Sequence, residues 1–438
     1  MNKLGKLWGR VRESLWFIPG LMVSGSFLLA LLLIEVDNNI DRKTLLDYPR
    51  VFGVGADGSR GMLVAIASSM LTVAALAFSL TLNTVAQASS QYTPRVIRNY
   101  LDDHWNQFAF GYFVSAFTYC LIVLRSIRGG DDAFIPGISV ITGLLLAIGG
   151  VGVLIYFIHH IGVSLQATNI VARISRETRL AIDSLYPEQL GEGIEKDPPD
   201  RLVEALDLDK WHCIRSTSSG YIQDFDVEAA EELAHEYEMV IRTERELGEF
   251  VAENGSLVSL GGLSDEPDED VRDKINSFYT INRHRAIEQD VGFGIRQLVD
   301  IALKALSPGV NDTTTALNCL DRLGELIGVL VSREWPSNVR ELNGKVLVVT
   351  DAPEFKDYVE QAFDEIRVNA TGNSEALSRL IEVLAHAVEQ TSSDGRRRVL
   401  FQHIELTLEL AEDSLRTEHE KRKVRDEAAD HRRSLARA

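Results

Sequence analysis

The sequence has little of what organises a disulfide-rich or metal-binding protein. Only three of its 438 residues are cysteine, and Cys120, Cys213 and Cys319 form no Cys-x-x-Cys pair. Such an odd, scattered set argues against a disulfide framework or a zinc site and fits a reducing compartment. The chain also lacks a Walker loop, an HExxH motif, a nucleophile elbow and a cluster of metal ligands. The sequence therefore predicts no catalytic residue and no metal site, leaves any cofactor unknown, and favours a protein that is not an enzyme.

Charge is nearly absent from four long segments of the first half. These segments are residues 15–36, 62–88, 108–124 and 138–161. About 20 mostly apolar residues are enough to cross a bilayer, and aromatic residues near the segment ends are typical of membrane interfaces. Buried helices of a soluble protein would require four such runs close together. We therefore expect residues 1–185 to form a membrane α-helical domain with four spans in a lipid bilayer. The fourth helix is expected to continue inward over roughly 162–185.

Charge is also distributed unevenly between the two halves. Residues 1–182 carry 15 basic and 11 acidic residues, whereas the remainder carries 30 basic and 53 acidic ones. An acidic surface repels nucleic acid and anionic headgroups, which argues against nucleic acid as a partner. Beside the spans, nine basic residues lie on the side of the N-terminus and six on the other. The positive-inside rule then predicts that both termini are cytoplasmic.

The connection between the second and third spans is expected to lie on the inner membrane surface. Thr93 and Pro94 suit the N-cap and the first residue of a short helix. Arg95 and Arg98 follow on that helix, within reach of lipid phosphates. These two arginines are the candidates for contacts at the lipid interface.

The second span carries a polar stripe. Its members recur at intervals of four or seven residues, which places them along one face of a helix: Ser68, Thr72, Ser79, Asn83, Gln87 and Gln91. In hydrocarbon such a stripe must meet another helix or water. Hydrogen bonding between helices explains it as well as a hydrated path does, and both explanations stay open. The six residues are candidates for lining a pore.

The second half is predicted to be a cytoplasmic, mostly helical α+β region. Residues 186–200 are rich in Pro, Gly and charge and are typical of a linker. Short strand-like runs around one short helix indicate a small β-rich α+β module at 201–264. An α-rich domain is expected at 265–415, and its acidic first residues, 265–273, are interpreted as a solvated linker. The last residues, 416–438, form a charged tail with little to bury.

One segment of the α-rich domain combines charged residues with apolar periodicity. A helix is expected from Ile295 to Leu306, and Ser307-Pro308-Gly309 ends it. The polar residues around this helix are candidates for a ligand site or for a structural network: Arg285, Asp290, Arg296, Asp300, Asn311 and Asp312. A helix N-terminus binds anions, but capping and ion pairing use the same groups internally. The internal network is the explanation that the pattern favours.

Four motifs together resemble a known bacterial family of predicted membrane proteins of unknown function. They are Ala88–Arg95, Tyr156–His160, Phe293–Ala302 and Ser307–Asp312. Such relatives often have proline after the Asn-Asp pair, where this chain has Thr313, and the change leaves the helix cap intact. The resemblance implies four spans and a soluble domain in a bacterial inner membrane. It implies no activity.

Two classes of function compete. The polar stripe favours a channel or transporter regulated by its cytoplasmic region. Four helices alone rarely enclose a pore, so this hypothesis requires a homo-oligomer. The alternative is a membrane-anchored sensor or scaffold whose soluble domain binds a ligand or a protein partner. The sequence does not identify the solute, the ligand or the stimulus.

Overall fold

The computed structural model describes residues 16–39, 55–91, 104–129, 134–164, 166–186, 210–287, 289–335, 339–342 and 345–435. The chain forms two compact units, Met1–Asn169 and Ile170–Ala438. The first is helical, and the second combines helices with β-sheet. A four-span membrane half followed by a mostly helical α+β half is therefore confirmed.

Within the described residues, four helices are long and apolar enough to cross a membrane. They are α1 (Phe17–Asn39), α2 (Ala56–Gln91), α3 (His104–Ser126) and α4 (Gly137–Ser164). Helix α3 packs against each of the other three. Its Phe113, Tyr119 and Cys120 are fully buried in an apolar core. The core of the membrane unit therefore lies around α3.

Polar contacts join the helices at one end of this unit. The Asp37 carboxylate, near the end of α1, accepts a hydrogen bond from the Ile138 backbone at the start of α4, at 2.9 Å. Arg60, in the first turns of α2, donates to the carbonyl of Ile127, which follows α3, at 3.0 Å. We call this the capped end. The opposite end, where α3 begins and α4 ends, is called the open end.

The segment after the fourth span differs from expectation. We expected α4 to continue inward as far as Leu185, but it ends at Ser164 and a separate helix, α5 (Ala167–Leu185), follows. The Asn169 side chain donates to the carbonyl of Val163 at 2.8 Å, which satisfies one of the carbonyls that a helix end leaves unpaired. Most of α5 belongs to the second unit, where Ile174 and Ile182 are fully buried.

The β-rich part of the second unit is built from two stretches of sequence. Its elements are β1 (Trp211–Arg215), β2 (Gly220–Phe225), α6 (Val227–Glu236), β3 (Val240–Thr243), β4 (Phe250–Val251), β5 (Ser256–Gly261), α7 (Glu269–Phe278), β6 (Tyr279–Asn282), β7 (Val339–Leu342) and β8 (Lys345–Val349). The described strands form sheets of order β1-β5-β3-β8-β7 and β4-β2-β6. Strand β8 pairs with β3 in parallel, and the other pairs are antiparallel. Residues from beyond 201–264 therefore complete the larger sheet.

The acidic segment 265–273 was wrongly predicted to be a solvated linker throughout, because α7 begins at Glu269. The Asp268 side chain caps this helix by accepting from the Val271 backbone at 2.9 Å. Val271 and Ile275 are buried on one face. A carboxylate cap and two apolar residues one turn apart are enough to order a helix whose other positions are charged.

The remaining helices form an α-helical layer. They are α8 (Val291–Leu306), α9 (Thr313–Ser332), α10 (Phe355–Asn369), α11 (Ser374–Glu389), α12 (Asp394–Ser414) and α13 (Glu418–Leu435). Helix α11 packs against α9, α12 and α13. The charged tail therefore buries more than its composition suggests, since Val424 and Ala428 of α13 are buried. The expected linker residues 187–200 lie outside the described residues.

Candidate functional site

Helix α2 turns its polar stripe away from the other described helices of the membrane unit. The core-facing side of this helix carries Leu63, Met70 and Ala74, all buried. The opposite side carries five of the six predicted stripe residues, all exposed: Ser68, Thr72, Ser79, Asn83 and Gln87. Among the described residues, the other membrane helices therefore do not cover the stripe, so hydrogen bonding between helices of one chain does not explain it.

Small residues complete the line along this outward side. Gly61, Ala65 and Ala75 are exposed and alternate with the stripe at steps of three and four residues. We call the whole line the small-polar face, consisting of Gly61, Ala65, Ser68, Thr72, Ala75, Ser79 and Asn83. Larger exposed side chains, such as Leu71 and Phe78, lie to one side of it. The outermost surface of α2 is thus narrow, shallow and weakly polar.

Two of the stripe hydroxyls are satisfied within their own helix. Ser68 donates to the carbonyl of Val64 at 2.5 Å, and Thr72 donates to the carbonyl of Ser68 at 2.8 Å. Such back-bonding lowers the penalty for a hydroxyl in hydrocarbon. Within the described residues, Ser79 and Asn83 have no hydrogen bond from the side chain. Their polar atoms require a partner outside the described part of the chain.

Helix α2 is longer than a bilayer is thick. Its 36 residues span about 54 Å at about 1.5 Å per residue, whereas the hydrocarbon is about 30 Å thick. The helix starts at the capped end, so the excess extends beyond the open end. Phe78 lies level with Phe110 of α3, their ring centroids 5.8 Å apart. In a bilayer spanned by α3, Asn83, five residues further on, would therefore lie near the membrane interface at the open end.

The stripe consequently divides by depth. In a bilayer spanned by α3, Ser68, Thr72 and Ser79 would lie on the part of α2 within the hydrocarbon, and Gln87 would lie at or beyond the interface. Gln91 is described only as the last residue of the helix. Arg95 and Arg98, the candidates for the lipid interface, lie outside the described residues.

In the second unit, Arg285 and Asp290 form a pair at the start of α8. The Arg285 guanidinium donates to both carboxylate oxygens of Asp290, at 2.7 and 2.9 Å. Asp290 also caps α8 by accepting from the Phe293 backbone at 2.9 Å. The guanidinium stacks over the Phe293 ring at 5.3 Å. This carboxylate is buried, and both of its oxygens accept hydrogen bonds from within the chain. The pair therefore fixes the segment before α8 to the start of that helix.

Arg296 forms a second, separate network one turn further along α8. It donates to Asp300 on the same helix at 2.8 Å and to both oxygens of Glu365 on α10. Hydrogen bonding to Glu365 raises the pKa of the arginine further, so the charge is permanent. Arg296 and Asp300 therefore tie α8 to α10.

Asn311 and Asp312 lie beyond the other end of α8, so the structure does not bring the six candidates into one site. Asp312 caps α9: it accepts from the Thr315 backbone at 3.1 Å and from the Thr315 hydroxyl at 2.5 Å. Asn311 has a φ of 50°, a left-handed conformation that asparagine tolerates better than most residues. Both side chains are exposed.

The loop after β3, which contains Glu246 and Gly248, lies against the Arg285–Asp290 pair. The sequence pattern did not reveal this contact. The loop after β3 approaches so closely that a Cβ at Gly248, whose φ is 85°, would lie 2.2 Å from an Asp290 oxygen. Glu246 of this loop is half-buried, and burial followed by repulsion from nearby carboxylates raises its pKa to about 7. The charged residues of this loop are typical of an exposed loop. In the sequence, Gly248 alone indicated that the loop packs closely against another part of the chain.

Two buried tyrosines lie beside this loop. The hydroxyls of Tyr186 and Tyr358 are 2.8 Å apart. Burial raises the pKa of both phenols, so both stay protonated near neutral pH. Trp335 packs on Tyr186 with ring centroids 4.7 Å apart.

Among the described residues, no group of three or more His, Cys, Asp or Glu residues could hold a metal ion.

The chain belongs to a family of predicted membrane proteins, DUF2254, which matches residues 12–386. Uncharacterized proteins of Mycobacterium tuberculosis and Mycobacterium bovis are 32% identical to it over 394 residues, which is 88% of this chain and 74% of each relative. No solved structure matches the chain. The family membership that the four sequence motifs indicated is therefore confirmed, and the protein is a membrane protein.

Proposed function

We propose that the protein is an oligomeric channel or transporter in which α2 of each subunit faces the centre of the assembly. The observation that carries this proposal is the position of the small-polar face, which lies on the side of α2 opposite to its packing within the chain. The described residues of a single chain enclose no path along this face. A path lined by Ser68, Thr72 and Ser79 requires several subunits.

The composition of the small-polar face favours contact with protein or water over contact with lipid. Lipid solvates Leu or Phe better than a hydroxyl or a carboxamide, and an unsatisfied polar group in hydrocarbon costs on the order of 2 kcal/mol or more. Small residues at steps of four, such as Gly61 and Ala65 or Ala75 and Ser79, let membrane helices approach closely. An uncharged lining offers weak polar sites and no ring of charge, so selectivity by charge is not part of the proposal.

The proposal also includes orientation. We place the protein in the bacterial inner membrane with both termini and the soluble unit in the cytoplasm. The excess of basic residues beside the N-terminal side of the spans supports this orientation. A reporter that is active only in the periplasm should be inactive at the C-terminus and active when inserted after Gly129, which follows α3. The reverse pattern would reject this orientation.

Cysteine accessibility tests the proposed path. In a variant with the exposed Cys213 replaced by alanine, single cysteines replace Ser68, Thr72 or Ser79. We expect small hydrophilic thiol reagents to modify all three in membranes and to change ion flux through reconstituted protein. A cysteine at Leu71, which is exposed on the large apolar side of α2, is the matched control and should stay unmodified.

The same variants test assembly. Cysteines on the small-polar face should cross-link between subunits, whereas one at Leu71 should not. If the face cross-links but excludes hydrophilic reagents, the helices pack without a water path. The membrane half is then an anchor, and a sensor or scaffold whose soluble unit binds a ligand or partner becomes the better explanation. If the face neither cross-links nor reacts, both parts of the proposal fail.

A further inference from the structure

A cavity of about 320 Å³ lies between α3 and α4 at the open end of the membrane unit. Aromatic rings form its rim. Trp105 packs against Tyr156 with ring centroids 5.0 Å apart, and Tyr156 stacks on His160 at 5.9 Å. Phe108 and Phe157 contribute further apolar wall. Among the described residues that line the cavity there is no Asp, Glu, Lys or Arg.

Two glycines on α4 leave the space open. The Tyr112 hydroxyl donates to the Leu146 carbonyl at 2.8 Å and lies 2.5 Å from the position that a Cβ of Gly149 would take. Nothing lies within 4 Å of a Cβ built on Gly152. Gly149 therefore makes room for the Tyr112 hydroxyl, and Gly152 faces the empty volume. The absence of a side chain at Gly152 leaves this part of the cavity unfilled.

The cavity opens to the outside of the helix bundle. Trp105 is 51% exposed and Tyr156 is 46% exposed, and both glycines are exposed. The lining is apolar, and apolar cavities do not hold water stably. In a membrane the surroundings of this opening are lipid chains or another protein chain.

The dimensions decide between these two occupants. A helix with its side chains is about 10 Å across, so about 4 Å of its length, less than one turn, would fill 320 Å³. An apolar cavity of about 150 Å³ accepts benzene, so a volume twice as large suits a narrow, flexible hydrocarbon chain. The partial closure by aromatic rings also excludes a helix, which needs an open groove.

We propose that this cavity binds one acyl chain of a phospholipid, whose headgroup lies beside Trp105 and His160. Trp and Tyr prefer the boundary between hydrocarbon and headgroups, where an apolar ring body and a polar edge are both satisfied. Trp105 lies near the start of α3 and His160 near the end of α4, both at the open end. The site is formed by α3 and α4 and is independent of the small-polar face of α2.

Native mass spectrometry of the full-length protein tests the site. Protein purified in mild detergent and incubated with phosphatidylglycerol should retain one lipid per subunit after extensive washing. Gly152→Phe adds a ring at a position where nothing lies within 4 Å of the new Cβ, and it should reduce retention at least tenfold. Gly25→Phe adds the same ring to α1, also where nothing lies within 4 Å, and should retain lipid as the wild type does. Gly152→Ala adds only one methyl group and should also retain it.

Protection of the fully buried Cys120 from thiol reagents verifies the fold of each variant. If Gly152→Phe exposes this thiol, Gly152→Leu, with a smaller side chain at the same position, takes its place. Equal retention by the wild type and the filled variant would overturn the proposal. So would equal loss in Gly25→Phe, because the lipid would then be a general surface layer, or the absence of any retained lipid in the wild type.

Discussion

Asp37 and Ser139 are 102 positions apart, and the Asp37 carboxylate accepts hydrogen bonds from both the backbone and the hydroxyl of Ser139, at 2.9 and 2.6 Å. Asp37 lies near the end of α1, and Ser139 lies in the first turn of α4. A carboxylate at a helix N-terminus satisfies unpaired N–H groups and interacts favourably with the helix dipole. Tyr119 of α3 donates to the Ser139 carbonyl at 2.9 Å, so three membrane helices meet here.

We expect Asp37→Ala to destabilise the membrane unit by about 1–3 kcal/mol, because the buried donors at the start of α4 lose their acceptor. The temperature at which Cys120 becomes reactive to a fluorescent thiol reagent in detergent measures this, with Cys213 and Cys319 replaced by alanine. Glu35→Ala removes an exposed carboxylate from the same helix and should change the temperature little. Equal effects of the two substitutions would contradict the capping role of Asp37.

The sequence predicted the four spans well because a bilayer imposes a length and a composition that one segment displays by itself. It did not reveal Asp37 as a cap, because the partner of that carboxylate is set by tertiary structure. Likewise, periodicity showed that Ser68, Thr72 and Ser79 share one face of a helix. It did not show whether that face packs within the chain, which depends on where the neighbouring helices lie.

In the soluble half, local signals predicted most elements and failed where distant residues complete them. Asp312 was recognisable as a helix cap from its neighbours alone. Strand β8 was recognisable as an apolar run, but its parallel pairing with β3 joins residues about a hundred positions apart. The pKa of Glu246 depends first on burial and then on Asp351 and other carboxylates, and only the folded chain brings these together.

Gly294 of α8 allows α5 to approach closely. A Cβ at this position would lie 2.0 Å from the Thr178 hydroxyl oxygen, and Thr178 is fully buried. We expect Gly294→Ala to destabilise a soluble fragment starting at Ala167 by about 1–3 kcal/mol, because the two helices must separate. Gly309→Ala, where nothing lies within 4 Å, is the control. Urea unfolding followed by the fluorescence of Trp211 and Trp335 measures both.

A double substitution tests the cause of that effect. Thr178→Ala removes the atoms nearest to the new methyl group, so Gly294→Ala combined with it should lose less stability than the two single losses added together. Strictly additive losses would show that the contact between these two residues is not the origin.

The turn between α8 and α9 should be sensitive at two positions for different reasons. Asp312→Ala removes the cap of α9 and should cost about 1 kcal/mol in the same urea experiment. Asn311→Ala should also cost roughly 1 kcal/mol, because alanine disfavours a positive φ. Asn311→Gly retains that conformation without strain and should be nearly neutral. If glycine is as damaging as alanine, the asparagine side chain has a role beyond the backbone conformation.

The raised pKa of Glu246 predicts how the stability of the soluble unit depends on pH. Burial, then repulsion from Asp351, Glu249, Asp357 and Asp290, raises this pKa from 4.5 to about 7. Between these values the folded protein keeps a proton that the unfolded chain releases. The contribution of Glu246 to the free energy of unfolding is therefore complete below about pH 4.5, falls as the pH rises, and is lost above about pH 7.

Glu246→Gln should remove this part of the pH dependence, since glutamine stays neutral. Above pH 7 the variant should be more stable than the wild type, by on the order of 1 kcal/mol once the half-exposed position is discounted for solvent screening. Near pH 4 the two should agree closely.

Glu236→Gln, at an exposed position of α6, makes the same change in charge and should leave the shape of the curve unaltered. Urea unfolding of the soluble fragment between pH 4 and pH 8 measures the difference. If the curves of Glu246→Gln and the wild type run parallel, Glu246 titrates in the folded protein as it does in the unfolded chain, and its burial beside the other carboxylates has no effect on stability.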